Sequence, residues 1–175
     1  MNNLATVRID DVMVHPREND LILATHGRSI QVMDDITPLQ QLTPAVLAAD
    51  VHLFSPREAV QWKTDRRGSR AVTGGKNWRG QSAPAGTAIS YWLKSPANGE
   101  VQITILDGSG AVVRTLRGTG AAGINRVQWN LRANPPQGQG GAQATQPGPA
   151  VAPGTYTVRL AVGGRTLSSS VQVLE

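Results

Sequence analysis

The strictest constraint on this chain is the alternation that runs through residues 87–175. "TAISYWLKS" sets Ala88, Ser90 and Trp92 against Ile89, Tyr91 and Leu93. "EVQITILDGSGAVVRTLRG" reads as a hairpin. Val101, Ile103 and Ile105 point inward, "DGSG" turns, and Val112, Val113 and Leu116 lie on the returning arm. "INRVQWNLR" carries Ile124, Val127, Trp129 and Leu131 with one slip, which predicts a bulge or a change of face. "GTYTVRLAVGGRTLSSSVQVLE" is a second hairpin, around "VGGR". Tyr156, Val158 and Leu160 sit on its first arm, and Leu167, Val171 and Val173 on its second. A period of two places successive side chains on opposite faces of a strand. About six or seven strands in roughly 90 residues, without a long helical pattern, predict an antiparallel β-sandwich.

Two stretches interrupt this pattern. Residues 133–150, "ANPPQGQGGAQATQPGPA", hold no side chain larger than Gln. Such a stretch buries too little apolar surface to offset ordering entropy, so a disordered loop between two strands is expected. Residues 118–123, "GTGAAG", match the dinucleotide-binding pattern G-x-G-x-x-G. In that motif the glycines turn a strand into a helix whose N-terminus meets the pyrophosphate. Here a β pattern follows, and Asn125 and Asn130 are poor residues for a helix interior. An acid about 20 residues on should hold the ribose. No Asp or Glu occurs between Asp107 and Glu175. The expectation is a glycine-rich turn and no cofactor.

The N-terminal part reads differently. "TVRIDDVMVHPRENDLILATHGRSIQVMDD" predicts three short antiparallel strands with turns at "HPREND" and "HGRS", and an irregularity at Asp10–Asp11. A three-stranded meander is marginal alone. Thr43-Pro44 predicts a helix start over "PAVLAAD", Thr37-Pro38 a similar turn before it, and "VHLF" a short strand. Residues 57–79 hold seven basic and two acidic residues, a surplus that equals the net charge of +5. This glycine-rich basic stretch, running to about residue 86, reads as an extended connector. Trp62 and Trp78, with Arg66, Arg67 and Arg70, are its candidate ligand or interaction surface. Two aromatics make a thin stacking platform, so nucleic acid is not the expected partner.

Composition closes off several chemistries. There is no cysteine, hence no disulfide, thiolate nucleophile or cysteine-ligated metal. No apolar run approaches the roughly 18 residues of a membrane span, and no signal peptide is visible at the N-terminus. His15, His26 and His52 lack the tight spacing of a metal site. His15 and His26, with Asp10, Asp11, Asp34 and Asp35 near in sequence, are weighed as ligands, and satisfied turn residues are preferred. The pairs Asp10-Asp11 and Asp34-Asp35 give only a weak glycosidase signal. Neighbours on a strand face opposite ways, so a carboxylate pair would need one Asp from each. Ser168–Ser170 have no histidine nearby in sequence and no nucleophile elbow, and "DGSG" is too short for a calcium loop. No catalytic or metal residue is expected.

Several residues together carry a resemblance. His15-Pro16, Asn19-Asp20-Leu21, Thr25-His26-Gly27-Arg28, Asp34-Asp35 and Pro38-Leu39 resemble the last blade of bacterial sortilin-like, BNR-repeat β-propellers, often labelled sialidase- or glycosyl-hydrolase-like. Ser29 stands where that pattern has glycine. "VQITILDGSGAVVRTL", "INRVQWNLR" and "APGTYTVRL" resemble the Ig-like module of flagellar hook-capping proteins. The resemblances span roughly residues 6–50 and 87–175. They imply an all-β chain with a partial blade over residues 1–36, a helix and basic connector over 37–86, and an Ig-like sandwich over 87–175. They also imply a C-terminal fragment of a longer protein, with upstream blades as partner and an extracellular or periplasmic parent. The Asp-box S-x-D-x-G-x-x-W is absent, and Tyr91 and Tyr156, the only tyrosines, both fall in the sandwich. A non-catalytic spacer or a module binding protein or cell surface is therefore expected. The alternatives are an accessory part of a sialidase-like hydrolase, a carbohydrate-binding module using Trp62 or Trp78, and a polyanion-binding segment at 57–79.

Overall fold

The alternation of the C-terminal half is satisfied by two sheets packed face to face. The computed structural model describes residues 6–62, 83–136 and 147–175. The chain is all-β: strands β1 Ile9–Val14, β2 Leu21–Thr25 and β3 Ile30–Met33, short helices α1 Thr37–Gln40 and α2 Pro44–Ala48, then β4 Val51–Leu53, β5 Ala59–Val60, β6 Thr87–Leu93, β7 Val101–Leu106, β8 Val112–Gly118, β9 Gly123–Trp129, β10 Gly154–Val162 and β11 Arg165–Leu174. One sandwich sheet has the order β5-β11-β10-β7-β8, the other β4-β6-β9. All pairs are antiparallel except the short β5–β11 pair.

The inward positions form one core. Ile89, Tyr91, Leu93 and Trp129 from the smaller sheet meet Val101, Ile103, Ile105, Tyr156, Val158, Leu160, Val171 and Val173 from the larger. Trp129 and Tyr156 meet edge to face at 5.5 Å, the geometry their ring quadrupoles favour. On β9 the pairing with β6 is unbroken from Gly123 to Trp129. The slip in the apolar pattern is therefore not a bulge. Asn125, a polar residue, takes the buried inward position, and Ile124 points outward. A real bulge lies on β8, where Ile105 faces Arg114 and Leu106 faces Val112.

The sandwich begins well before residue 87. Val51–Leu53 pair with Leu93–Tyr91, and Ala59–Val60 pair with Val173–Leu174. The segment between the meander and β4 also has a packing role. Ala88 and Ser90 point away from the core, yet both are buried. The Ser90 carbonyl accepts from the Phe54 amide, the Trp92 indole donates to the Ala49 carbonyl, and Arg126 donates to the Asp34 carbonyl. Residues 34–50 thus lie over the outer face of the β4-β6-β9 sheet, and the Phe54 bond extends the β4–β6 ladder. Helix α2 starts as its sequence predicts: Thr43 Oγ1 accepts from the Val46 amide, and Pro44 sits in the first turn.

The predicted loop over 133–150 is tied at both feet. Arg132 bridges Ala150, the Ala133 amide donates to the Pro149 carbonyl, and the Asn134 amide donates to the Val113 carbonyl. Residues 137–146 lie outside the described residues.

The meander β1-β2-β3 is joined to the rest by polar contacts. Asn19 and Asp35 both hold positive φ, 58° and 53°, a region that Asn and Asp enter more readily than most side chains. Asn19 and Gln40 exchange amide hydrogen bonds at 2.7 and 3.1 Å, and Asn19 also donates to Thr37 Oγ1. Asp20 accepts from the Asp35 amide at 2.8 Å. Arg57 donates to the Glu18 carbonyl and to its carboxylate at 2.7 Å, and lies 3.9 Å from the buried carboxylate of Asp35. The irregularity expected at Asp10–Asp11 is a bulge between Ile9 and Asp11.

A fragment of residues 51–175 should unfold at a higher temperature than one of residues 87–175, because the shorter piece lacks β4 and β5. Equal midpoints in calorimetry would show that those strands add nothing. A second outcome concerns Glu18. Burial raises its carboxyl pKa, but Arg17 and Arg57 outweigh that and hold the group below its ordinary 4.5. A depressed carboxylate pKa stabilises above the unfolded value, and that stability is lost as pH falls through the folded one. Glu18→Gln should therefore cost at most about 1 kcal/mol near neutrality, and the gap to the parent should close below the folded pKa. Denaturant titrations at several pH values measure it.

Candidate functional site

The "GTGAAG" stretch has a full structural account. It joins β8 to β9, so the element after it is a strand. Gly118 packs beneath Tyr91, and a Cβ there would collide with the Tyr91 hydroxyl. That hydroxyl donates to the Thr119 carbonyl at 2.6 Å. Thr119 Oγ1 donates to Asn125 Oδ1 at 2.6 Å, and Asn125 Nδ2 donates to the carbonyls of Ala121 and Gly123. Gly120 accepts from the Ala97 amide, and Gly123 has φ +99°. Each glycine of the motif answers to packing or to a turn. Burial raises the Tyr91 pKa, which its contacts with Thr119 only partly offset. Asn125 is the residue that sequence reasoning missed. Its signal was a polar side chain at an inward position of a strand.

The other candidates are dispersed. His15 lies in the turn after β1, where its Nδ1 accepts from the Glu18 amide. His26 lies 3.2 Å from Asp10 Oδ2 and 3.3 Å from Arg8, beside the exposed bulge of the meander. His52 packs edge-on against Phe54 at 5.0 Å. Asp34 and Asp35 belong to the junction with the sandwich, where Asp34 accepts from Arg126 and Asp35 lies beside Arg57. Among the described residues, no three His, Asp or Glu side chains are placed to hold a metal ion. Asp107 closes its hairpin: Ser109 Oγ above all, and then the amides of Ala111 and Ser109, hold its carboxyl below the usual range. Ser168–Ser170 lie along β11 opposite Arg159–Thr157.

Of the four tryptophans, Trp129 is core and Trp92 is tied to Ala49. Trp62 is 56% exposed and lines a cavity of about 200 Å³ with Gln61, Asn130, Leu131 and Arg132. Trp78, Arg66, Arg67 and Arg70 lie outside the described residues. No described helix is long and apolar enough to cross a membrane. No family model matches the chain, and no curated protein or solved structure was found to match it.

Gly118→Ala should destabilise the chain by roughly 1–3 kcal/mol, the usual range for forcing an extra carbon into a packed site. Paired with Tyr91→Phe, which removes the oxygen in the way, it should cost less than the two single changes added. Additive losses in denaturant unfolding would dissociate the glycine from the tyrosine.

Proposed function

We propose that this chain is a non-catalytic C-terminal part of a propeller-type protein. The meander packs between neighbouring blades, and the sandwich serves as a spacer or interaction module. The observation that supports this is the meander itself. Val12, Val14, Leu21, Leu23 and Met33 share one face with Gln31, and Met13, Ile22, Ala24, Ile30 and Val32 share the other with Asp11, so both faces are mainly apolar. A sheet with one wet face alternates apolar and polar residues, whereas one covered on both faces reads apolar throughout. Yet Val12, Met13, Ile30 and Val32 are each more than half exposed. A two-sided apolar sheet calls for neighbours on both sides, as a blade has. The resemblance of Asn19-Asp20, Thr25–Arg28 and Asp34-Asp35 to a terminal blade points to the same neighbours.

Hydrogen exchange on the 175-residue chain tests this. Amides of residues 9–33 should exchange far faster than those of β10, since without flanking sheets the meander opens locally. Strong, uniform protection of the meander in the isolated chain would overturn the reading. Ile30→Lys should cost less than about 0.5 kcal/mol in this chain, as for exposed sites generally. In a longer polypeptide carrying the adjoining blades the same change should cost several times more.

A further inference from the structure

The two ends of the sandwich differ. At the end where Leu93 pairs with Gly123, the loop's polar groups are taken up by Tyr91 and Asn125. At the opposite end, where Thr87 pairs with Trp129, the cavity beside Trp62 is open. An indole offers one of the largest apolar surfaces a side chain can bury, and Trp92 and Trp129 are used that way. Trp62 instead stands on a concave wall.

The surroundings of Trp62 are constrained. Gly86 keeps the cavity floor bare: its φ is +96°, and a Cβ would strike the Trp129 carbonyl. Leu131 sits at φ +56°, in the left-handed region that a leucine enters only where its surroundings over-determine it; here its side chain is buried in the core and its carbonyl accepts from the Val151 amide. Arg132 Nη1 donates to the Gly148 carbonyl at 2.9 Å, which among the described residues is the one bond its five-donor guanidinium makes. Gln61 donates to the Val151 carbonyl through Nε2, and its oxygen makes no hydrogen bond to another described residue. Asn130 is exposed at the rim. No carboxylate lines the cavity among the described residues. Its volume is below the roughly 300–1,000 Å³ of pockets that enclose a whole ligand, so it suits one ring of a longer molecule.

We propose that this cleft binds one acidic pyranose residue of a glycan. The ring's C–H face stacks on Trp62, its hydroxyls meet Asn130 and Gln61, and its carboxylate meets Arg132. A single indole in a short cleft fits one saccharide ring. Sequence-tolerant nucleic-acid binding uses successive aromatics along a groove. The Arg132 guanidinium, with no carboxylate lining the cavity among the described residues, favours an anionic ring over a neutral one. This site does not depend on the meander's docking.

The test titrates the full chain with a hyaluronan hexasaccharide, trigalacturonate, cellotriose and an oligothymidylate, reading tryptophan fluorescence and calorimetric heat. At least one acidic saccharide should bind and cellotriose should bind at least tenfold more weakly. Trp62→Ala should weaken acidic-saccharide binding by about tenfold or more, and Trp62→Phe should retain most of it. The thermal midpoint of both variants should match the parent, since Trp62 is exposed. The proposal is overturned if neither acidic saccharide binds at about 10 mM, or if Trp62→Ala binds as the parent does. Cellotriose binding equally well, or tighter binding of the oligothymidylate, would overturn it too.

Discussion

The structure depends on covering the outer face of a three-stranded sheet. Strand β6 is buried on both sides: Ile89, Tyr91 and Leu93 face the core, and Ala88 and Ser90 face the other way. A sheet apolar on both faces needs a layer on each. The larger sheet supplies one. Residues 34–50 supply the other, with the Ala49 carbonyl against Trp92 and the Asp34 carbonyl against Arg126. The chain then turns inward, and β4 pairs with the sheet it has just covered. The same segment is cover, edge strand and attachment point for the meander.

That attachment is made by hydrogen bonds more than by apolar contact. Asn19, Asp20, Asp35, Gln40 and Arg57 hold the turn after β1 to the start of α1. The carboxylate of Asp35 is nearly buried, and it accepts from the Thr37 amide with Arg57 nearby. A buried charge without such partners would be costly. The network therefore fixes the angle at which the meander leaves the sandwich while adding little apolar burial. The meander is held at its base, and Val12, Met13, Ile30 and Val32 are bare on its faces.

How much of this was legible depends on what the sequence pattern reports. The strands of the second hairpin and of β7 were readable because Tyr156, Val158, Leu160 and Val101, Ile103, Ile105 alternate cleanly, and every one is buried. The Thr43-Pro44 helix start was readable because capping is local. The reading failed where a residue's role is set by distant chain. Ala59–Val60 is too short to carry a period, and its strand exists only because β11 lies beside it. Asn125 broke the apolar pattern and suggested a slip, but its amide closes the loop that Gly118 and Gly123 shape. Of the candidate surface, Trp62 is seen in its setting. Its cavity is completed by Asn130, Leu131 and Arg132, far along the chain, which no local pattern links to it.

The two glycine-rich ends of the β6–β9 pair show why a motif is judged by its surroundings. "GTGAAG" has the letters of a phosphate cradle, yet its carbonyls accept from Tyr91, Asn125 and the Ala97 amide, and the chain leaves it as a strand. Its hydrogen-bonding capacity is used within the protein. At the other end Gly86 and Leu131 take up left-handed backbone around a cavity, and an indole and part of a guanidinium border it. Here too the backbone is bonded internally, with the Trp129 indole donating to the Arg132 carbonyl and the Val151 amide to the Leu131 carbonyl, but the Trp62 ring beside it stays more than half exposed. A site is better sought where the fold leaves donors, acceptors and aromatic surface unused than where a sequence pattern happens to match.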